Sequence, residues 1–553
     1  MQTHTMNQPV STTRRWWNRR TKTLAWIAVG VLLPLCYLAW HIFGWPAPIR
    51  ISYETTRLTT PLTPDGYVDF LRAYRESQPA DIGDYRDDPW RALFENERDF
   101  MRSLDDPGWD RPHPPGTENI VYRHPVEALK EHLQKEKSAI EVYAEVHEFE
   151  ENGLDLRMRV PFSASDDPVL AAVIEENEPW YDAVVATYKP THLPVKFPEG
   201  SPLRGKQSLG NMSPEIHENC LELARRFRLR SMYRAGQGDL QGSFDELAFT
   251  VKIAARCDHC CAIATAVSTA LELEASRAMV TLVLNSKELP PEFCIQIEQL
   301  PRNSTFNELA EMMDGTERHI WLDVIQGLYA SQCKSQIQWT FSEIDSPSAM
   351  KYLHRRRIWH ATNWNQVLIK QNEYFDAIVA ALKLPTWREQ HVAIEKRLRA
   401  STSAEDSRNF DIESAPPWSI SDPTNSMTQM VLPKWGHDTL PELAHLRDLR
   451  RKVVQIAARL AMWRQLHGAF PDDLQAVLTV DGFSPASPTL LVDPFNELQL
   501  GYERQGNGFV LYSVGPNMQK DGSGFEECSI HDTDFSDNER PDDDHIWRWP
   551  LAD

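Results

Sequence analysis

One stretch without any charged residue limits where this chain can reside. Residues 23–45 contain no Lys, Arg, Asp or Glu and are rich in Leu, Ile, Val and Trp. At about 1.5 Å of rise per residue, a helix of this length measures roughly 34 Å, which is enough to cross a hydrocarbon core of about 30 Å. The sequence therefore predicts a single transmembrane helix over residues 23–45.

The charges beside this stretch predict its orientation. Basic residues precede it, and no acidic residue occurs before residue 51. These basic residues are Arg14, Arg15, Arg19, Arg20 and Lys22. Because positively charged flanks stay on the cytoplasmic side, we expect residues 1–22 in the cytoplasm. The bulk of the chain is then periplasmic, attached to the cytoplasmic (inner) membrane.

Cleavable signals are weaker interpretations of the same residues. A secretory signal has an apolar core of about 7–15 residues, shorter than this one. Leu33-Pro34-Leu35-Cys36 only partly matches a lipoprotein box, and Arg14-Arg15 is a weak twin-arginine pattern. We therefore expect an uncleaved anchor.

The charge balance of the remaining chain excludes one class of partner. The first fifty residues hold six basic and no acidic residues, so the rest carries 52 basic against 79 acidic side chains, a net charge of −27. Nucleic-acid binding depends on Lys and Arg that neutralise phosphates. We therefore expect no nucleic acid among the partners, and no electrostatic adhesion of this part to an anionic leaflet.

Composition and apolar periodicity divide the rest of the chain into four parts. Residues 46–120 are proline-rich and predict an extended or loop segment. Residues 121–400 show a helical period, residues 401–437 have linker composition, and residues 438–553 combine a long helix with a β-hairpin. The expected fold class is mainly α: a transmembrane helix, an irregular helical domain and a small C-terminal α+β domain.

Individual helices follow from the spacing of apolar residues. Residues 214–256 predict a helical hairpin with a turn at Gly236–Leu240, which resembles a tetratricopeptide-type hairpin. One hairpin is not a repeat array, so the helical domain is only partly tetratricopeptide-like. The other predicted elements are a short helix at 66–76, helices around 306–329, 364–382, 387–398, 446–467 and 471–478, and a hairpin over 498–513.

The cysteines Cys257, Cys260 and Cys261 form the sharpest local pattern. A CxxC spacing places two thiols together, which suits a metal or redox site. A closed zinc site needs four ligands, and the sequence contains no second CxxC. Packing at a helical hairpin, with a disulfide as one option, is the favoured alternative.

The region from about 450 to 550 resembles the soluble domain of type II secretion major pseudopilins. The resemblance rests on a long helix, an HGxxP corner, a DPF turn and a strand ending in YSxGP. In this chain they are Leu466–Leu474, Asp493–Asn496, Leu500–Tyr502, Gly508–Asn517 and Asp542–Ile546. A pseudopilin carries a Glu inside its apolar helix, whereas residues 23–45 contain no acid. We therefore expect a permanent tether and no pilus assembly.

Segments upstream are similar to a family of uncharacterised membrane-anchored proteins from planctomycete-type bacteria. The similar segments are Tyr67–Phe70, Asn177–Pro179, 222–256, Glu317–Asp323 and Asn372–Asp376. This similarity covers most of the chain beyond the predicted anchor, but it implies no activity.

The pseudopilin resemblance implies a calcium ion in the loop after the hairpin. It assigns main-chain oxygens near Leu511 and Ser513 and side chains of Asn517, Asp543 and Asp544 to the ion, because calcium takes about 6–8 oxygen ligands. Asn517 stands where the family usually has Asp, and Asp521 is expected to replace the lost charge. The alternative is a solvated acidic tail, which is what charge runs usually are.

No catalytic signature is recognisable in the sequence. Gly-x-Ser-x-Gly, HExxH, Walker A and dinucleotide-binding patterns do not occur. We therefore expect a membrane-tethered scaffold or interaction protein with a protein partner outside the cytoplasm, linked to secretion or envelope machinery. The alternative is an extracytoplasmic metal-assisted hydrolase that uses the acidic C-terminal loop or the Cys257–Cys261 cluster.

Overall fold

The structure is a computed structural model. It describes residues 29–33, 47–77, 122–135, 157–158, 160–188, 215–258, 261–286, 288–300, 305–330, 361–402, 424, 428, 439–518 and 545–549.

The protein is mainly helical, as predicted from its apolar periodicity. The α-helices described are α1 (Tyr53–Thr56), α2 (Phe70–Ser77), α3 (Pro125–Leu133), α4 (Pro168–Glu176), α5 (Glu178–Ala186), α6 (Glu215–Gly236), α7 (Leu240–Cys257), α8 (Ala262–Asn285), α9 (Pro291–Glu298), α10 (Phe306–Met312), α11 (Arg318–Ala330), α12 (Trp364–Leu382), α13 (Trp387–Thr402) and α14 (Leu440–His467). A π-helical turn, Met313–Glu317, joins α10 to α11.

The predicted hairpin of α6 and α7 is confirmed, and its turn has a clear cause. Gly238 adopts a φ of +85°, which is the left-handed region that glycine enters without a Cβ penalty. Asp239 then caps α7, since its Oδ1 accepts a hydrogen bond of 2.9 Å from the Gly242 N–H. Helix α8 packs against both members of the hairpin.

Helix α14 lies at the centre of the C-terminal part. It ends at His467, as the sequence predicted, and Gly468 with a φ of +77° is its left-handed C-cap. Its apolar face buries Leu449, Val453 and Leu460 against α8 and against the elements that follow it. One hydrophobic cluster thereby contains residues of α6–α9, of α14 and of the C-terminal strands.

The C-terminal strands form an antiparallel sheet in the order β1-β2-β3. The strands are β1 (Gly501–Gln505), β2 (Gly508–Ser513) and β3 (His545–Trp549). The predicted hairpin is confirmed, with Gly501 opposite Tyr512 in its register. Strand β3 was not predicted, and Ser513 pairs with His545. The short helix predicted at 471–478 is a 3-10 helix over Leu474–Thr479.

Residues 47–77, here called the N-terminal strap, run over α11 and α12. Ile49, Val68 and Phe70 of the strap are buried in one cluster with Leu322 and Trp364. The helix predicted at 66–76 is α2, shifted by a few residues. The part of the sequence expected to be extended or loop therefore contributes side chains to a hydrophobic core.

The predicted membrane span lies mostly outside the described residues. Residues 29–33 are helical, and Val31, Leu32 and Leu33 among them are exposed. Within the described ranges, no helix combines the length and the apolar character that a membrane crossing requires.

The close approach of α6 to the loop before α4 gives the first prediction. A Cβ added at Gly236 would lie 1.9 Å from the Phe162 carbonyl oxygen, a backbone atom that cannot yield without moving the chain. Gly236→Ala is therefore expected to lower the free energy of unfolding by about 1–3 kcal/mol, the usual cost of overpacking. Denaturant unfolding of the detergent-solubilised chain would measure this.

Gly315→Ala is the matched control for this substitution. A Cβ at Gly315 would meet nothing within 4 Å, so its effect is expected to be neutral or slightly stabilising. Equal stability losses in the two variants would contradict the close-packing interpretation of Gly236.

Candidate functional site

The turn between α7 and α8 carries the cysteine pattern predicted to hold chemistry. Cys257 ends α7 and is buried, and Cys261 is the buried N-cap residue of α8. Cys260 lies outside the described residues. Asp258, which follows Cys257, is the C-cap residue of α7, and only 1% of its surface is exposed.

Asp258 belongs to a buried ion cluster that reaches α14. Arg447 Nη2 lies 3.0 Å from Asp258 Oδ2 and 2.9 Å from Glu272 Oε1. The same nitrogen donates to Ser268 Oγ at 3.1 Å, and Arg447 Nε donates to Glu272 Oε2 at 3.3 Å. Two carboxylates and one guanidinium thus neutralise one another in part inside the protein.

The protonation behaviour of the cluster reflects its burial. Burial raises the pKa of the Glu272 carboxyl, and the charge of Arg447 opposes this rise. Burial lowers the pKa of Arg447, but the carboxylates of Glu272 and Asp258 raise it by more, so its pKa lies above its ordinary value. The guanidinium is therefore a permanent positive charge between α7, α8 and α14.

This geometry bears on the metal hypothesis for the cysteine turn. Within the described part of the chain, no group of three His, Cys, Asp or Glu side chains is placed to hold a metal ion. The carboxylates of Asp258 and Glu272 are bound to Arg447. Because Cys260 is not described, a metal or redox role of Cys257, Cys260 and Cys261 stays a prediction.

No protein-family model, curated protein or solved structure matches this chain.

A second charged cluster surrounds the π-helical turn before α11. Arg318, whose side chain is fully buried, lies 2.6 Å from Asp314 and 2.9 Å from Asp376 of α12. Its Nη1 donates to the Asn372 carbonyl oxygen at 3.2 Å. The segments Glu317–Asp323 and Asn372–Asp376 are therefore in direct contact.

Glu317 joins the π-helical turn to the start of α8. Its Oε2 accepts a hydrogen bond of 2.9 Å from the N–H of Ala262, the first residue of α8. Its Oε1 accepts one of 2.9 Å from Trp321 Nε1. A π-helical turn is often found at functional positions, and here it directs Glu317 to α8 while Arg318 faces α12.

The N-terminal strap is bound to the same region. Arg57 forms an ion pair with Asp376, the residue that also binds Arg318. Asn372 Nδ2 donates to the carbonyl oxygens of Glu54 at 2.8 Å and Thr55 at 3.0 Å. Arg57 has a φ of +56°, an uncommon conformation for a residue other than glycine.

A third cluster holds a carboxylate with a strongly shifted pKa. Arg230 donates to Glu178 at 2.8 Å and to Glu246 at 2.5 Å, and Arg234 lies 3.2 Å from Glu246. Burial raises the pKa of Glu246 to about 7, although the two arginines lower it. Glu178 follows Asn177, whose side chain pairs with the backbone N–H and the carbonyl oxygen of Arg123.

The DPF turn has a structural role at the end of β2. Asp493 is buried; its Oδ1 accepts from the Phe495 N–H at 3.0 Å and its Oδ2 from the Val514 N–H at 3.1 Å. The carboxylate therefore fastens the turn to the residue that follows β2. The spacing of the DPF and YSxGP motifs indicated a turn and a strand, but not this bond.

The predicted calcium ligands are only partly described. Leu511 and Ser513 lie in β2, and Asn517 follows it in a turn. Asp521, Asp543 and Asp544 lie outside the described residues. The calcium site therefore stays a prediction.

Sequence reasoning missed the arginines that organise these clusters. Arg447 and Arg450 occupy positions i and i+3 with Val454 at i+7, and all three are buried. A basic residue on the apolar face of a predicted helix was therefore the available signal. It indicates a buried ion pair but does not identify the partner.

The Arg447 cluster gives the second prediction. Arg447→Met leaves the carboxylates of Asp258 and Glu272 without their buried cation, and removing one partner of such a group costs about 3–5 kcal/mol. The free energy of unfolding is expected to fall by that amount. Arg388→Met, at an exposed position of α13, is the matched control and should change it by less than about 0.5 kcal/mol.

A rescue variant separates loss of charge balance from loss of packing. Asp258→Asn combined with Glu272→Gln removes both negative charges, so adding it to Arg447→Met should restore part of the lost stability. If the triple variant is less stable than Arg447→Met alone, charge balance is not the reason for the loss.

Glu246 gives the third prediction, which concerns pH. Its pKa is raised in the folded protein from 4.5 to about 7, so the folded state binds more protons between these values. Its contribution to stability is full below about pH 4.5 and is lost as the pH rises through about 7. Glu246→Gln should therefore flatten the decline in unfolding temperature between about pH 5 and pH 8.

Glu373→Gln, at an exposed position of α12, is the control for charge removal. It should leave the pH profile of the parent chain unchanged. Superimposable profiles for Glu246→Gln and the parent would refute a raised pKa at Glu246.

Proposed function

We propose that this chain is a membrane-tethered scaffold or interaction protein that acts outside the cytoplasm. The observation that carries the proposal is the attachment of the N-terminal strap, residues 47–77, to the helical core. The strap begins two residues after the predicted span, residues 23–45, and contributes side chains to the same core as α11 and α12. The body of the protein is thus joined to the proposed anchor without a long flexible linker.

The shared core supports a scaffold in preference to independent modules. The cluster that contains α6–α9 also contains Leu449 of α14 and Leu511 of β2. Trp387 of α13 adds a polar contact, since its Nε1 donates to the Pro516 carbonyl oxygen at 2.8 Å. Such packing supports a body that presents its surfaces in fixed relative positions.

The C-terminal part is proposed to be related to the soluble domain of pseudopilins. A long helix, α14, precedes a hairpin, and Asp493 binds the DPF turn to the end of the second strand. These features support the order of elements that the resemblance implies. A link to secretion or envelope machinery is part of this proposal.

The fourth prediction tests the topology on which the proposal rests. Alkaline phosphatase fused after residue 553 should be active, because that enzyme matures only outside the cytoplasm, while a green fluorescent protein fusion at the same point should stay dark. The chain should also remain in membranes washed with alkaline carbonate. The predicted orientation follows from the basic residues before the span.

A charge-reversed variant supplies the control. Replacing Arg14, Arg15, Arg19, Arg20 and Lys22 with Glu should reduce phosphatase activity relative to the parent fusion. Release of the parent chain by carbonate, or a fluorescent parent fusion, would overturn the tether. Once the topology is established, partners would be sought by crosslinking the intact chain in cells.

A further inference from the structure

The start of the N-terminal strap lies very close to the proposed membrane anchor. Trp45 ends the predicted span, residues 23–45, and Pro48 is the first strap residue bound to the body. Three residues span at most about 11 Å, even when fully extended. The headgroup layer of one leaflet is roughly 5–8 Å thick. Pro48 can therefore lie no more than about 3–6 Å beyond the outer face of the headgroup layer.

Side-chain amides hold the strap at successive points. Asn365 near the start of α12 accepts a hydrogen bond of 2.7 Å from the Arg50 N–H and donates one of 3.1 Å to the Pro48 carbonyl oxygen. Gln326 of α11 accepts from the Val68 N–H at 3.2 Å. Each amide pairs with backbone as a neighbouring strand would, so the strap has little freedom to lift from the body.

The exposed side chains beside these contacts suit a lipid surface. Tyr53 is 66% exposed. Arg50 is also exposed. Tyrosine and arginine are residues that settle in the headgroup layer, where an aromatic ring and a phosphate-binding cation are both stabilised.

From these observations we propose that the strap clamps the start of α12 onto the headgroup layer, so that the edge that carries the exposed residues Arg50, Tyr53, Ala361 and Asn363 is a lipid-contact surface. This inference rests on the proposed function, since it requires the anchor. The net charge of −27 beyond the first fifty residues means that general electrostatic attraction does not hold the body there. The short connection to the predicted span and the hydrogen bonds of Asn365 hold the body there instead.

The fifth prediction uses the full chain in phosphatidylcholine vesicles that contain a headgroup-nitroxide lipid. Ala361 is exposed and lies four residues before Asn365, so a fluorophore on Ala361→Cys reports the distance of this edge from the headgroups. The fluorophore is expected to be quenched by the nitroxide. The parent chain, labelled in the same way, gives the background from its own cysteines.

Lengthening the connection tests whether the clamp causes this proximity. A flexible Gly/Ser insertion of about ten residues after Ala47 adds roughly 17 Å of mean reach without touching the strap contacts. Most of the quenching should be lost. Asn365→Ala removes the bonds to Pro48 and Arg50 and should lose part of it, whereas Gln366→Ala, on the same turn without a side-chain bond to the strap, should lose none.

The outcomes separate the inference from the proposed function. If the chain does not float with the vesicles, the tether itself is overturned. If it floats but the fluorophore at position 361 is not quenched, the lipid-contact surface is overturned while the tether stands. Equal quenching in the insertion variant would also overturn the clamp, because the body would then adhere without it.

Discussion

The buried pairing of Arg447 with Asp258 and Glu272 fixes how the two ends of the chain are joined. A guanidinium moved away from buried carboxylates leaves uncompensated charge, so α14 has one acceptable position against the turn between α7 and α8. Apolar contacts alone tolerate sliding by a helical turn better than a hydrogen-bonded ion cluster does. The elements that follow α14 pack on its apolar face, and their placement depends on this register.

Polar contacts also connect the start of α8, the helix that carries Ser268 and Glu272 of this cluster, to the N-terminal strap. The N–H of Ala262 at the start of α8 binds Glu317, the adjacent Arg318 binds Asp376, and Asp376 binds Arg57 of the strap. Glu317 and Arg318 can bind different helices because consecutive side chains lie about 100° apart around a helix. As a result, polar contacts hold α14 to α8, and α8 is connected through Glu317, Arg318 and Asp376 to the N-terminal strap.

The sequence predicted elements much better than it predicted their partners. Helix α12 was predicted at its observed bounds because apolar spacing is a local signal, and the structure adds Asn363 as its N-cap. Strand β3 was missed because an acidic insertion separates it from the hairpin. Arg447 and Asp258 are 189 residues apart, and no local pattern can pair residues at that distance. The cysteine turn was singled out for its thiols, whereas its described polar role belongs to Asp258.

The strap changes the meaning of the proline-rich region that follows the charge-free stretch. Proline and polar residues predict a segment without a core of its own, and a flexible spacer would have the same composition. Here Ile49 and Phe70 are buried against α11 and α12, and Asn365 and Asn372 satisfy strap backbone groups. A spacer would let an acidic body drift away from an anionic leaflet. With the proposed anchor, a docked strap instead sets the distance and the orientation of the body by covalent reach, so its surfaces would face the same direction whatever the lipid charge.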